Sequence, residues 1–345
     1  MKEKKTEWEC QKLAFLFYFS VFLQKMSEMP LIQQSSYQKT PLLHFNGHLQ
    51  TIIPTFRRVT GVAYERERFI TPDDDFLNLY WLRQKSNRLV VLTHGLEGHS
   101  NRPYMLGMAK KFYKNGFDVL AWNCRSCGGE MNRQLRLYNH GEIGDISQII
   151  HHATQKGDYQ EVILIGFSMG GNISLKYAAL DKHPLVSKVI VFSSPLDMRS
   201  SIAVLDEPSN FLYKKNFIDK LLPKIQYKAL HYPKHLDLKA LKGQKSIVAQ
   251  AELFFVNING YRNMEDFYEK GSAINFIPRL QIPTLIVQAQ NDPILTSACS
   301  PMQLADNNPF IHLETPLCGG HVGFTHTQDK EHTWAEHRAL EFAVS

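Results

Sequence analysis

The stretch EVILIGFSMGGNISLKYAA, Glu161 to Ala179, decides how the rest of this sequence is read. Its first half, EVILIGF, is an unbroken apolar run of strand length, and the residues from Gly171 to Leu180 have helical spacing. Between them stands Ser168, inside G-F-S-M-G from Gly166 to Gly170. A serine presented on so sharp a turn takes a strained backbone conformation, and large flanking side chains would collide, so the pattern asks for small neighbours. The competing reading is one polar residue in an ordinary strand-to-helix connection. The rest of the chain must choose between them.

Similar apolar runs recur on both sides: LNLYWL (77–82), RLVVLTH (88–94), FDVLAWN (117–123), KVIVFSS (188–194), TLIVQAQ (284–290) and FIHLET (310–315). The middle ones are nearly continuous in Val, Ile, Leu and Phe, as in strands buried on both faces. Helical stretches separate most of them, Tyr104 to Asn115 and Glu142 to Gln155 among them. Strand, helix and parallel strand in alternation predict an α/β fold with a doubly wound, mostly parallel sheet. One interval breaks this rhythm, because about ninety residues separate Ser194 from Thr284, far more than a loop requires. SNFLYKKNFIDKLLPKIQYKAL within it has apolar and basic residues at helical spacing, so a helical, lid-like insertion over about 197–275 is expected. Its lysines read as a solvated helix face.

The 345 residues are 43% hydrophobic and 21% charged, values of a globular chain. A net charge of +6 without a long basic run speaks against nucleic-acid binding and leaves weak attraction to anionic lipid open. Five scattered cysteines do not form a disulfide framework and suit a reducing, cytoplasmic compartment. Cys124 and Cys127 make a C-x-x-C without a second ligand pair, and read as small loop residues before a zinc or redox site. LAFLFYFSVFL, Leu13 to Leu23, is short for a membrane span and lacks a following A-x-A. Residues 1–30 are therefore expected outside the fold, as a membrane-contacting segment or an over-extended start before Met26 or Met29. The domain proper is expected over 31–345.

A serine hydroxyl needs a base within hydrogen-bond reach. Of fifteen histidines, His312 falls in a strand, and His326, His332 and His337 fall in a polar helical region near the C-terminus. His321 lies in LCGGHVGF, a glycine-flanked loop just beyond the last strand. The carboxylate that orients it is Asp292 of QAQNDPIL, favoured because it projects from a turn fixed by the following proline, or its rival Asp197 of SSPLDM. Either aspartate also suits a helix cap. Backbone donors for a tetrahedral oxyanion are expected at Met169, after the serine, and at Leu96 in HGLEGHS.

These residues, in the order Ser168, Asp292, His321, resemble the α/β-hydrolase superfamily, and within it the YheT-like (EMB8-type) branch of candidate esterases. The matching stretches are FNGHLQTIIPT (45–55), THGLEGHS (93–100), NCRSCGGEMNRQLRLYNHGEIGD (123–145), GFSMGGN (166–172), PTLIVQAQNDPIL (283–295) and GGHVGF (319–324). Together they span about residues 41–330 in order. At 123–129 the chain has R-S-C where the branch would have R-G-C, in a loop with no assigned chemistry. The resemblance implies the α/β-hydrolase fold, Ser168, Asp292 and His321 as catalytic residues, Leu96 and Met169 as the oxyanion hole, and no metal or organic cofactor. It further implies a cytosolic bacterial protein acting on small-molecule esters or acylglycerol-type lipids through an acyl-enzyme. Acyl transfer by the same residues, or non-catalytic lipid binding on the same fold, are the alternatives; peripheral membrane contact is compatible with each.

Overall fold

The computed structural model describes residues 31–236 and 258–345, except 33, 326–328 and 330, together with residues 246, 252 and 256. The apolar run at 13–23 lies outside the described residues. Among those described, no helix is long and apolar enough to cross a membrane.

Nine strands form one sheet in the described residues: β1 (Leu31–Ile32), β2 (Glu65–Ile70), β3 (Phe76–Leu82), β4 (Arg88–Thr93), β5 (Asp118–Asn123), β6 (Glu161–Phe167), β7 (Val186–Phe192), β8 (Thr284–Val287) and β9 (Ile311–Glu314). Their order is β1-β9-β8-β7-β6-β4-β5-β3-β2. Every pairing is parallel except β2 with β3 and β3 with β5. The doubly wound, mostly parallel sheet is thus as expected, with strand ends within a few residues of those predicted.

The continuous apolar strands follow from burial on both faces. In β4, Leu89 and Val91 pack into one core with Ile146, Ile149 and Ile173, while Val90 and Leu92 pack into another with Met105, Phe112 and Phe342. Helices α3 (Gly144–Lys156) and α4 (Met169–Leu180) therefore cover one face, and α2 (Pro103–Lys114) and α9 (Trp334–Val344) the other. A short α1 (Gly47–Ile52) precedes β2. The edge strand β2, ERERFI, does not stand out as an apolar run because it is half solvated and charged, which also protects an open sheet edge from pairing with other chains.

Between β7 and β8 lie α5 (Met198–Asp206), α6 (Phe211–His231) and α7 (Met264–Gly271), and α8 (Met302–Asn307) precedes β9. The expected helix over the lysine-rich segment is α6, but its lysines do not share one solvated face. Lys228 is fully buried and donates to the backbone carbonyl of Asn132 at 2.6 Å and to that of Gln134. Lys224 is nearly buried and donates to both carboxylate oxygens of Glu97 at 2.8 Å. Contacts 94 to 127 residues away in sequence override the local pattern here.

Candidate active site

The carboxyl ends of the parallel strands meet at one rim of the sheet, where ligands bind in open α/β folds. Ser168 follows β6 there, with φ 52° and ψ −122°, a conformation that non-glycine residues adopt only under constraint. Its N–H donates to the Phe192 carbonyl at 2.9 Å, and its own carbonyl accepts from Gly171 at 2.9 Å as α4 begins. Sharp reversal brings the turn against β4: a Cβ on Gly170 would lie 2.2 Å from the Thr93 carbonyl oxygen. That contact is the local reason for a glycine two residues after the serine.

His321 Nε2 lies 2.9 Å from Ser168 Oγ, and its Nδ1 lies 2.8 Å from Asp292 Oδ2. The three sequence candidates are thus brought into one hydrogen-bonded row. Asp292 is buried and turned by its own Oδ1, which accepts from the Ile294 N–H at 2.9 Å. The carboxylate fixes Nδ1–H toward itself, leaving Nε2 to accept from the serine hydroxyl. Asp197 has the capping role instead: its Oδ1 accepts from Ser200 N–H at 2.7 Å at the start of α5. His332 and His337 contact Glu336 and Asp329, and His312 lies against Phe342, so none of these three joins the row.

The loop that carries His321 is held by α1, a role the sequence did not disclose. Gln50 Oε1 accepts from Gly319 N–H at 2.7 Å and from Asn291 Nδ2 at 2.9 Å, and Thr51 Oγ1 accepts from His321 N–H at 2.9 Å. Asn291 Oδ1 accepts from Gly320 N–H at 3.1 Å, and Ser193 Oγ from Val322 N–H at 2.9 Å. Gly320 has φ 56°, and a Cβ there would lie 2.7 Å from the Gly47 carbonyl oxygen. The stretch FNGHLQT is therefore a clamp on the imidazole loop. Its length and composition are unremarkable in sequence; only its resemblance to a known pattern marked it.

Leu96 and Met169, the expected oxyanion donors, lie on the loop after β4 and at the first residue of α4. Among the described residues no acceptor is assigned to either N–H. The Leu96 loop is braced by His94, whose ring is fully buried. The ring lies 2.7 Å from the Gly95 carbonyl through Nδ1, and its Nε2 accepts from Cys124 N–H at 3.0 Å. Burial pulls its pKa down to about 4, so it stays neutral near pH 7 with the proton on Nδ1. Glu97, with φ 55°, accepts from the Tyr138 hydroxyl and from Lys224, tying this loop to α6. Burial and the facing Glu97 carboxylate push the Tyr138 phenol up, so it remains a donor.

Ser168 and His321 sit where two arms of a cleft join. The narrower arm, about 100 Å³, is lined mostly by apolar side chains such as Ile202, Leu205, Phe217, Ile218 and Leu221. The wider arm, about 430 Å³, adds polar groups from two walls: Arg102 and Tyr104 on one, Tyr213, Asn216 and Lys220 on the other. Cys124 and Cys127 are buried below the loop, where burial pushes both thiols up, the Cys127 thiol to about 12. They are inert protonated sulfurs at neutral pH.

The R-S-C loop has a structural role that its sequence left blank. Arg125 is fully buried; its guanidinium donates to Asp145 at 2.9 Å from both Nε and Nη2, and to Asp75 at 2.6 Å from Nη1. Asp75 also accepts from Asn132 Nδ2 at 2.7 Å and from Arg133 N–H at 2.8 Å. This network anchors the loop that delivers Tyr138 and His140 to the apolar arm.

A nucleophile-type turn at the carboxyl edge of a doubly wound sheet, with Asp and His on later loops, defines the α/β-hydrolase class of fold. The solved esterase Pf2001 of Pyrococcus furiosus shares that fold, with a TM-score of 0.57 at 17% identity, covering 84% of this chain and 96% of its own. A family model described as "Serine aminopeptidase, S33" matches residues 84–309. The candidate esterase YheT of Escherichia coli is 31% identical over 300 residues, 84% of this chain and 88% of its own. Phospholipase ABHD3 of mouse is 26% identical over 319 residues, 89% of this chain and 76% of its own. The chain belongs to the α/β-hydrolase superfamily, in a group of hydrolases whose relatives are esterases and lipases.

Proposed function

We propose that this protein is a serine hydrolase that cleaves carboxylic esters, short-chain esters or acylglycerol-type lipids, through an acyl-enzyme on Ser168. The observation that carries this reading is the hydrogen-bonded row Asp292–His321–Ser168 opening on a cleft with an apolar arm. Ser168 Oγ attacks the acyl carbonyl as His321 Nε2 takes its proton, and Asp292 stabilises the resulting imidazolium. The N–H groups of Leu96 and Met169 receive the oxyanion, helped by the positive end of α4. Collapse of the tetrahedral species breaks the ester C–O bond, and His321 returns the proton to the departing alcohol. Water then attacks the acyl-enzyme with His321 as base, releasing the acid and restoring Ser168. No step requires a metal or organic cofactor.

The apolar arm receives the acyl chain, with α5 and α6 of the insertion over 197–275 acting as its lid. Contact with a lipid surface suits the exposed side chains at the rim: Phe45 and Phe56 flank α1, and Phe211 and Leu212 begin α6, where Tyr213 stacks on His48 of α1. A cytoplasmic location belongs to the same reading, supported by free thiols at Cys124, Cys127, Cys299 and Cys318.

Hydrolysis of p-nitrophenyl esters from acetyl to palmitoyl by purified protein, with added alcohol as competing acceptor, tests the proposal. Turnover that yields free acid as the main product is expected. Absence of turnover at every chain length would count against an esterase, and an ester of the added alcohol as main product would make it an acyltransferase.

A further inference from the structure

The two arms of the cleft differ in charge as well as polarity. Of the five lysines on α6, four have anionic or carbonyl partners: Lys214 with Asp206, Lys215 with Asp219, Lys224 with Glu97, and Lys228 with backbone carbonyls. Lys220 has no ion-pair partner among the described residues, although it is only partly exposed. Arg102, across the wider arm at the start of α2, is likewise half-buried and without an ion-pair partner among the described residues. Among the described residues, the one carboxylate lining either arm is Glu97, and Lys224 occupies both of its oxygens at 2.8 Å. Burial and then the neighbouring Arg102 push the Lys220 ammonium below the ordinary lysine range, so the two cations sense each other. Glu97 offsets part of this push and Lys224 adds to it, but neither Arg102 nor Lys220 has a directly paired counterion among the described residues. Two such like charges in a partly dehydrated cleft are costly, and an anion between them relieves that cost.

Both cations line the wide arm beside Ser168 and His321, and neither lines the apolar arm. An ester carbonyl at Ser168 with its acyl chain in the apolar arm directs its alcohol portion into the wide arm. Resting on the esterase reading above, we propose that this wide arm is an anion subsite, in which Arg102 and Lys220 bind a phosphate carried by the alcohol portion of the ester. Phosphate suits the placement better than a carboxylate, because its several terminal oxygens can accept from a guanidinium on one wall and an ammonium on the other at once. The preferred substrate class is thus a monoacyl ester of a phosphorylated polyol, and the products are a fatty acid and the free phosphorylated alcohol.

The test compares 1-octanoylglycerol 3-phosphate with 1-octanoylglycerol below their micelle-forming concentrations. The wild-type protein is expected to favour the phosphorylated ester in kcat/KM by about tenfold or more, the scale of a charge-assisted contact in a half-buried site. In Arg102→Gln/Lys220→Gln protein that ratio falls toward unity, and raising the salt concentration erodes the wild-type preference in the same direction. Calorimetric binding of the ether analogues 1-octylglycerol 3-phosphate and 1-octylglycerol to Ser168→Ala protein reads the subsite without turnover and should show the same preference. Neutral-ester hydrolysis with no preference for the phosphorylated partner, or a preference that the double variant retains, overturns the subsite while leaving the esterase reading intact. Competitive inhibition by inorganic phosphate without preference for the phosphorylated ester would overturn it as well, by making free phosphate the ligand. A wild-type protein that hydrolyses neither ester contradicts the esterase reading, and the binding comparison then still decides the subsite.

Discussion

Two polar clusters lie near the carboxyl edge of the sheet, and they are built on opposite plans. Around Arg125, the charges are answered by one another: the buried guanidinium meets buried Asp145 and Asp75 and the partly exposed Asp73, and Asp75 is further satisfied by Asn132 and Arg133. Around Ser168, backbone strain is retained, two N–H groups lack an assigned acceptor among the described residues, and the hydroxyl faces a cleft. A buried network that satisfies itself organises the fold. A network that leaves donors and a hydroxyl aimed at open space is arranged for something that arrives later.

The sharpest way to break this contrast is to disable each cluster and compare what is lost. Ser168→Ala should lower ester kcat/KM by about 10⁴-fold or more. Its thermal midpoint should move by no more than about 2 °C, since the group that loses its partner, His321 Nε2, lines the cleft. Next in size, Asp292→Asn should lower kcat by about 10³–10⁴-fold by spoiling the imidazole tautomer. Asp197→Asn should change kcat less than about threefold, because Asn caps a helix as well as Asp does. The reverse ranking in steady-state kinetics would move the orienting carboxylate to Asp197. Arg125→Met should cost about 3–5 kcal/mol in denaturant unfolding, because buried Asp75 loses its cationic partner and keeps only neutral donors, while buried Asp145 keeps only the partly exposed Arg136. If Arg125→Met unfolded like wild type yet lost turnover as completely as Ser168→Ala, the division between the two clusters would fail.

The smallest effect is a pH dependence. Burial holds His94 at about 4 in the folded protein, against an ordinary value near 6.5 in the unfolded chain. Between these values the unfolded chain binds the extra proton, so stability rises with pH there. The contribution is fully present above about pH 6.5 and is lost as pH falls toward 4. His94→Asn should be less stable at pH 7, with a shallower dependence of the thermal midpoint on pH across that window. An unchanged slope would mean that other groups, such as His140, whose pKa burial also lowers to about 4, dominate it.

The sheet was legible because strands buried on both faces carry their burial in their composition. Ser168, Asp292 and His321 were legible because each stands at a strand end with turn-forming neighbours. The clamp by Gln50 and Thr51, the Arg125 network and the partners of Lys224 and Lys228 were not, since they join residues far apart in sequence and leave no local period. The edge strand β2 was hidden for a different reason: its solvated charges imitate a loop.

The most direct test of the account is labelling with a fluorophosphonate, which reports an activated serine whatever the natural ester is. Mass spectrometry of the labelled wild-type protein should place one adduct on the peptide containing Ser168, with labelling abolished in Ser168→Ala and strongly slowed in His321→Ala. Equal labelling of wild type and Ser168→Ala, or an adduct mapped to another residue, would contradict the central claim.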